Sequence, residues 1–198
     1  MSYKTEIQKN QHEITRRRFT QLSCATGFAS LLASPLCAAP LSLSLEAGEK
    51  PLPEAPISTA SGADFVLSEV REFDLIINFW ATWCPPCVHE LPQLNTIATE
   101  LSADGIKVIL VSMDRGGAAM AGPFLSERNI TAPLSLYDPS ASWARALALK
   151  GLPTTLLIKK NSESYQVHTG PADWDDDKIK GQIKSYLASR YSDERSGY

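Results

Sequence analysis

The feature that most restricts the fold is a strand–helix–strand pattern in residues 74–114. Two short runs rich in β-branched and aromatic residues, DLIINFW (74–80) and IKVILVSMD (106–114), have the composition of strands buried on both faces. Between them, residues 85–104 repeat apolar side chains at helical spacing. A helix that returns to the same sheet must join two parallel strands, so the sequence predicts a βαβ unit.

The remaining residues predict a mixed α/β domain around that unit. Helices are expected at 118–128, interrupted or restarted at Pro123, at 140–149, and at 175–189, where aspartates favour a helix start. The runs PTTLLIKK and SYQVHTG flank NSE, which predicts two antiparallel strands joined by a tight turn. Residues 40–62 contain four prolines and no periodicity, which indicates a linker, and residues 191–198 indicate a flexible tail.

The first 39 residues have the composition of an export signal. Five basic residues precede Phe19 against two acidic ones, and the sequence from 19 to 45 carries no charge. The segment TRRRFTQL resembles a twin-arginine signal, and a general secretion signal is the alternative. The uncharged run could be cleaved or retained as a membrane anchor, and either outcome predicts a periplasmic domain.

Charge and cysteine content narrow the function of that exported domain. The whole chain has a net charge of −3, and removing a basic leader leaves a more acidic domain, which disfavours nucleic acid as a partner. Of the four cysteines, Cys24 and Cys37 fall in the leader, so Cys84 and Cys87 remain.

Cys84 and Cys87 form a CPPC motif where the first predicted strand gives way to the helix. Pro85 and Pro86 lack N–H groups, which costs nothing in the first turn of a helix. The free N–H groups and the helix dipole there stabilise a thiolate, so Cys84 is the expected nucleophile and Cys87 the resolving thiol.

Other interpretations of a CxxC pair remain open from the residues alone. A zinc site would need two more ligands, for which the domain offers His89 and His168. These histidines are more simply read as a solvated helix residue and a strand side chain. A structural disulfide over two intervening residues would stabilise little, because the benefit grows with loop length.

The motifs together resemble a known family. NFWATWCPPC, the following ELP, and GLPTTLLI further along are similar to the TlpA/ResA-like branch of the thioredoxin superfamily, with the likeness running from about residue 64 to residue 186. The resemblance implies a thioredoxin-like fold over 63–190, with a central mixed sheet flanked by helices and a central insertion at about 115–140. It also implies that Pro153 is cis and faces the cysteines, keeps metal off the thiols and, with the backbone of Leu152, receives an extended client segment.

The resemblance assigns roles to several side chains around the pair. Trp83 would cover one side of the cysteines, and Pro92 matches a helix kink. Asn78 stands where thioredoxin carries a proton-transferring aspartate, and an amide cannot transfer that proton. Glu90, on the helix face of Cys87, either tunes Cys87 or is an ordinary exposed helix residue.

The sequence therefore predicts an exported thiol:disulfide oxidoreductase that needs no cofactor or metal. By resemblance it acts as a monomeric reductase of protein disulfides, with apocytochrome c or copper-site proteins as clients and a membrane electron donor. The alternatives are a copper-binding oxidase assembly factor, which could add His89 or Met113 as a ligand, and a disulfide oxidase or isomerase.

Overall fold

A computed structural model describes residues 42–189, so the predicted export signal at 1–39 and the tail at 191–198 lie outside the described residues. The strands are β1 (Glu46–Ala47), β2 (Ile57–Ser58), β3 (Asp64–Phe65), β4 (Asp74–Trp80), β5 (Ile106–Ser112), β6 (Leu134–Tyr137), β7 (Thr154–Ile158) and β8 (Tyr165–Thr169). The α-helices are α1 (Pro85–Ser102), α2 (Ala118–Glu127), α3 (Ser142–Ala146) and α4 (Asp177–Ala188), and a 3-10 turn covers Leu67–Val70. None of the helices in this part of the chain is long and apolar enough to cross a membrane.

The predicted βαβ unit forms the centre of the sheet. β4 and β5 pair in parallel from Asp74 opposite Ile106 to Trp80 opposite Ser112, and α1 connects them. The sheet order is β1-β8-β7-β4-β5-β6-β2-β3, with β7 and β8 antiparallel to their neighbours as the turn at NSE predicts. The helix that carries the CPPC motif, α1, therefore starts just after a central, fully buried strand.

Alternation along β4 divides the core between the two faces of the sheet. Ile76 and Trp80 point to the face covered by α1 and α4, where Leu91, Leu94 and Ile183 complete the packing. The intervening side chains of β4 contribute to the second cluster, on the other face. Because both faces are covered, the strand is apolar throughout, with Asn78 as the exception in its middle.

The segment predicted as a linker, 40–62, contributes two short strands to the sheet, β1 and β2. β1 pairs with β8, Leu43 is buried in the core, and β2 pairs with β3 and β6. Backbone hydrogen bonds between distant residues hold this segment, such as Gly48 N–H to Tyr165 O at 3.0 Å. Composition does not reveal such long-range pairing, which explains the difference from the predicted linker.

The range 115–140, where a central insertion is expected, holds α2 and β6. β6 extends the sheet in parallel next to β5, and α2 packs against β4 through Phe124, whose ring centroid lies 5.8 Å from that of Trp80. Pro123 lies within α2 without ending it. The helix predicted at 140–149 is shorter, as α3, and begins at the carboxylate of Asp138, which accepts the N–H groups of Ser142 and Trp143.

Candidate active site

Cys84 is the N-cap of α1, and Cys87 lies one turn inside the helix. The Cys84 Sγ accepts a hydrogen bond from the Cys87 N–H at 3.4 Å, and Pro85 and Pro86 occupy the first two helical positions. A sulfur at this position accepts the Cys87 N–H at the positive end of the helix dipole, which stabilises a thiolate. The two cysteines are joined as a disulfide in the structure.

The two cysteines differ in their access to solvent. Cys84 retains 5% of its surface and Cys87 none, so a partner can approach the pair only from the side of Cys84. Trp83, expected to cover one side of the pair, is 66% exposed. Its indole is thus available to a partner that docks beside Cys84.

Pro153 and Leu152 lie at the same end of the sheet as the cysteines. The Leu152–Pro153 bond is cis, as the resemblance implies. Thr154 is opposite Phe79 on β4, so Pro153 enters β7 next to the end of β4 from which the chain turns toward Cys84. Pro153 is buried, while Leu152 is partly exposed.

Glu90 is a buried carboxyl on the active-site helix. It lies three residues after Cys87, on the same helix face, and only 1% of it is exposed. Its Oε1 accepts the Asn78 Nδ2–H at 2.9 Å, and its Oε2 accepts the Ala172 N–H at 3.3 Å. The interpretation of Glu90 as an ordinary exposed helix residue is therefore wrong.

Burial gives Glu90 an unusual proton affinity. Desolvation raises the pKa of Glu90 from 4.5 to about 7, although hydrogen bonds from Asn78 and Ala172 favour the charged form. The Trp174 indole also favours the charged form, without reaching hydrogen-bond geometry. A carboxyl with a pKa near neutrality can both accept and release a proton under physiological conditions.

Two contacts of this buried cluster were not predicted from the sequence. Asn78 donates to Thr155 Oγ1 at 3.0 Å as well as to Glu90, and Ala172 reaches Glu90 from the loop after β8. Thr155 is opposite Asn78 across the β4–β7 pair. The signal for Asn78 is a lone amide within an apolar run, whereas nothing local marks Thr155 or Ala172.

The residues considered as additional metal ligands differ in burial and partners. His89 is exposed on α1, and His168 is a buried β8 side chain whose Nδ1 accepts the Ser44 N–H at 3.2 Å. Met113 is half-buried just after β5. Between residues 42 and 189 no three histidine, cysteine, aspartate or glutamate side chains are grouped to hold a metal ion.

Comparisons with known proteins identify the family. The Redoxin family model matches residues 46–183. The thiol-disulfide oxidoreductase ResA of Oceanobacillus iheyensis is 31% identical over 104 residues, or 52% of this chain and 53% of that protein. ResA of Geobacillus kaustophilus is also 31% identical, over 60% of this chain and 67% of that protein. The chain thus spans about half to two thirds of the length of these relatives.

A solved structure extends the likeness to the fold. A crystal structure described as the thiol:disulfide interchange protein DsbE from Chlorobium tepidum aligns with a TM-score of 0.62 and 29% identity. The alignment covers 73% of this chain and 99% of that one. It confirms the predicted thioredoxin-like arrangement of a mixed sheet flanked by helices. The chain belongs to the Redoxin family, and within it is similar to the ResA-like thiol:disulfide oxidoreductases.

Proposed function

We propose that this protein is an exported thiol:disulfide oxidoreductase that reduces disulfides in client proteins through Cys84 and Cys87. The observation that carries the proposal is the position of the pair, with Cys84 as the N-cap of α1 and its Sγ on the Cys87 N–H. Such a position favours the thiolate that thiol–disulfide exchange requires. The resemblance of the chain to ResA-like proteins supports the same activity.

The reaction begins with the reduced pair and transfers two electrons to the client. The Cys84 thiolate attacks one sulfur of the client disulfide and forms a mixed disulfide, and the other client sulfur leaves as a thiolate and takes up a proton. The Cys87 thiol then loses its proton and attacks Cys84 Sγ. This step forms the Cys84–Cys87 disulfide and releases the second client sulfur as a thiolate, which is also protonated.

Glu90 is the candidate acceptor for the Cys87 proton. Asn78 cannot take up that proton, and Glu90 lies one helical turn from Cys87 with a pKa of about 7. Its burial and the hydrogen bonds from Asn78 and Ala172 hold the carboxyl in one orientation. The exposed Trp83 and the partly exposed Leu152, which is held by the cis bond to the buried Pro153, would receive the client.

The cellular role follows from the leader and the direction of transfer. Residues 1–39 would bring the domain to the periplasm, cleaved or anchored through 19–45, where a reductase must obtain electrons across the membrane from a donor. Clients with paired cysteines that must stay reduced for haem attachment or copper binding fit this direction. Apocytochrome c and the copper-site proteins of terminal oxidases are such clients.

Cysteine variants test the roles within the pair. The full chain is used with Cys24 and Cys37 replaced by serine, so that only the motif reacts. Cys84→Ser should abolish insulin reduction, and Cys87→Ser should accumulate a mixed disulfide with the client. If the Cys84 variant traps the client and the Cys87 variant does not, the roles are reversed.

The reduction potential tests the direction. Equilibration of the same protein with glutathione should give a potential below about −200 mV, in the range of reducing thioredoxin-like proteins. A value near about −120 mV, typical of strong oxidants, would instead identify a disulfide oxidase. Tight binding of Cu(I) by the reduced pair without insulin reduction would favour the copper-binding alternative.

A further inference from the structure

Asp114 is a buried carboxylate next to the active-site turn that the proposed reaction does not use. It follows β5 by two residues and has no exposed surface. Its Oδ1 accepts the Thr82 hydroxyl at 2.6 Å, and its Oδ2 accepts the Thr82 N–H at 3.0 Å. Oδ2 also accepts the Ser112 hydroxyl at 3.0 Å, so both oxygens are satisfied without a cationic partner.

The residue that Asp114 holds belongs to the turn that presents Cys84. Thr82 lies between Ala81 and Cys84, and the Cys84 N–H donates to Ala81 O at 3.1 Å to close the turn. The Cys84 carbonyl then accepts the Val88 N–H at 3.0 Å, the first bond of α1. Two hydrogen bonds to one carboxylate fix both the backbone and the side chain of Thr82, which restricts rotation of the turn.

Asp114 also belongs to a second turn, the one that follows β5. The Asp114 carbonyl accepts the Gly117 N–H at 2.8 Å, which closes the turn between β5 and α2. The Met113 N–H donates to Trp80 O at 2.8 Å, so the pairing of β4 and β5 continues up to these turns. Asp114 thereby connects the CPPC turn to the rigid end of the central strand pair.

We infer that Asp114 is a positioning residue that holds Cys84 Sγ at the N-terminus of α1. The inference rests on the proposed function, because it concerns the reactivity of the Cys84 thiolate. If the turn loosens, the sulfur moves away from the Cys87 N–H and loses the environment that favours its charged form. The thiol should then react more slowly near neutral pH, although Cys84, Cys87 and Glu90 are still present.

A matched control separates positioning from simple stabilisation of the fold. Asp138 is also buried, at 1% exposure, and accepts hydrogen bonds from Ser142 and Trp143 at the start of α3. Within residues 42–189 its side chain makes hydrogen bonds to Ser140, Ser142 and Trp143, and none to Thr82 or the cysteines. Asp138→Asn therefore removes a comparable buried carboxylate away from the active-site turn.

The experiment compares Asp114→Asn, Thr82→Val, Thr82→Ser and Asp138→Asn in the full chain with Cys24 and Cys37 replaced by serine. The rate of Cys84 alkylation by iodoacetamide is measured against pH on the reduced protein, with the modified peptide identified by mass spectrometry. Asp114→Asn cannot accept both Thr82 donors, so alkylation at pH 7 should slow about tenfold. The apparent Cys84 pKa should rise.

The remaining variants show whether the effect acts through Thr82 or through general stability. Thr82→Val should change the profile in the same direction by less, Thr82→Ser should match the parent protein, and Asp138→Asn should lower stability without moving the profile. The inference is overturned if Asp114→Asn leaves the profile unchanged. It is also overturned if alkylation becomes faster, because removal of a nearby negative charge would then dominate.

Two further outcomes are decided by the same measurements. If Asp114→Asn does not fold, the two Thr82 variants provide the test. Identical pH profiles of Cys84 alkylation for Thr82→Val and Thr82→Ser would overturn the inference. Alkylation needs no client, so a parent protein that fails to reduce insulin would refute the proposed function, while the effect of Asp114 on Cys84 would still be measured.

Discussion

The raised pKa of Glu90 predicts that this residue makes the protein less stable as pH rises. The folded state favours the protonated carboxyl, with a pKa of about 7, over the ordinary value of 4.5. The contribution of the protonated Glu90 to wild-type stability is therefore fully present below about pH 4.5 and is lost progressively up to about pH 7. One pKa unit corresponds to about 1.4 kcal/mol, so the total loss is about 3 kcal/mol.

Glu90→Gln removes this titration while keeping the size of the side chain. The glutamine oxygen can still accept the Asn78 amide, but its NH₂ group faces the Ala172 N–H, which costs about 1 kcal/mol at every pH. The variant should thus be about 1 kcal/mol less stable than wild type at pH 4 and about 2 kcal/mol more stable at pH 8.

Urea unfolding of the oxidised proteins between pH 4 and 8 measures this difference. With the disulfide intact, the thiols do not titrate, and the other ionisable groups contribute equally to both proteins. A free-energy difference that stays constant over this range would refute the assignment of a neutral, buried Glu90 at low pH. The reduced variant should resolve mixed disulfides more slowly, and the wild-type rise in this rate through about pH 7 should be absent.

Two further predictions concern neighbours of the pair. Asn78→Asp in the Glu90→Gln background should recover part of the resolving rate, because it restores a proton acceptor in the same cluster. Single-turnover release of a mixed disulfide measures this rate. No recovery would show that an acid at position 78 cannot accept the Cys87 proton. Trp83→Ala should raise the KM for insulin reduction about three- to tenfold and change the free energy of unfolding by less than about 0.5 kcal/mol, since the indole is 66% exposed. An unchanged KM would place the client elsewhere.

The elements that the sequence predicts correctly are those with strong local signals. The apolar β4 and β5, the periodic α1 and the aspartate-led α4 all begin within two residues of the predicted positions. β1 and β2 were missed because a two-residue strand has no periodicity and depends on distant partners such as Val167 for β1. The structure of 42–62 is decided by tertiary hydrogen bonds rather than by its prolines.

The parts of the site that could be predicted are those that depend only on the spacing of residues along the sequence. The CPPC position at a strand–helix junction predicts the N-cap sulfur, and helical spacing puts Glu90 on the face of Cys87. Spacing cannot say what packs against that face, so the burial of Glu90 required the structure. Asp114 carried only the signal of an acid at the end of an apolar run, and its partner Thr82 lies 32 residues earlier, before α1 and β5.

The two edges of the sheet bear on self-association. Over residues 42–189 the sheet ends in β1 on one side and β3 on the other, each only two residues long. Each edge also carries an exposed carboxylate, Glu46 or Asp64. A second copy of the chain would find few unpaired backbone groups to extend, and charged side chains on edge strands disfavour such pairing. A protein with the proposed role of accepting extended client segments beside its cysteines thus has outer strands poorly suited to polymerisation.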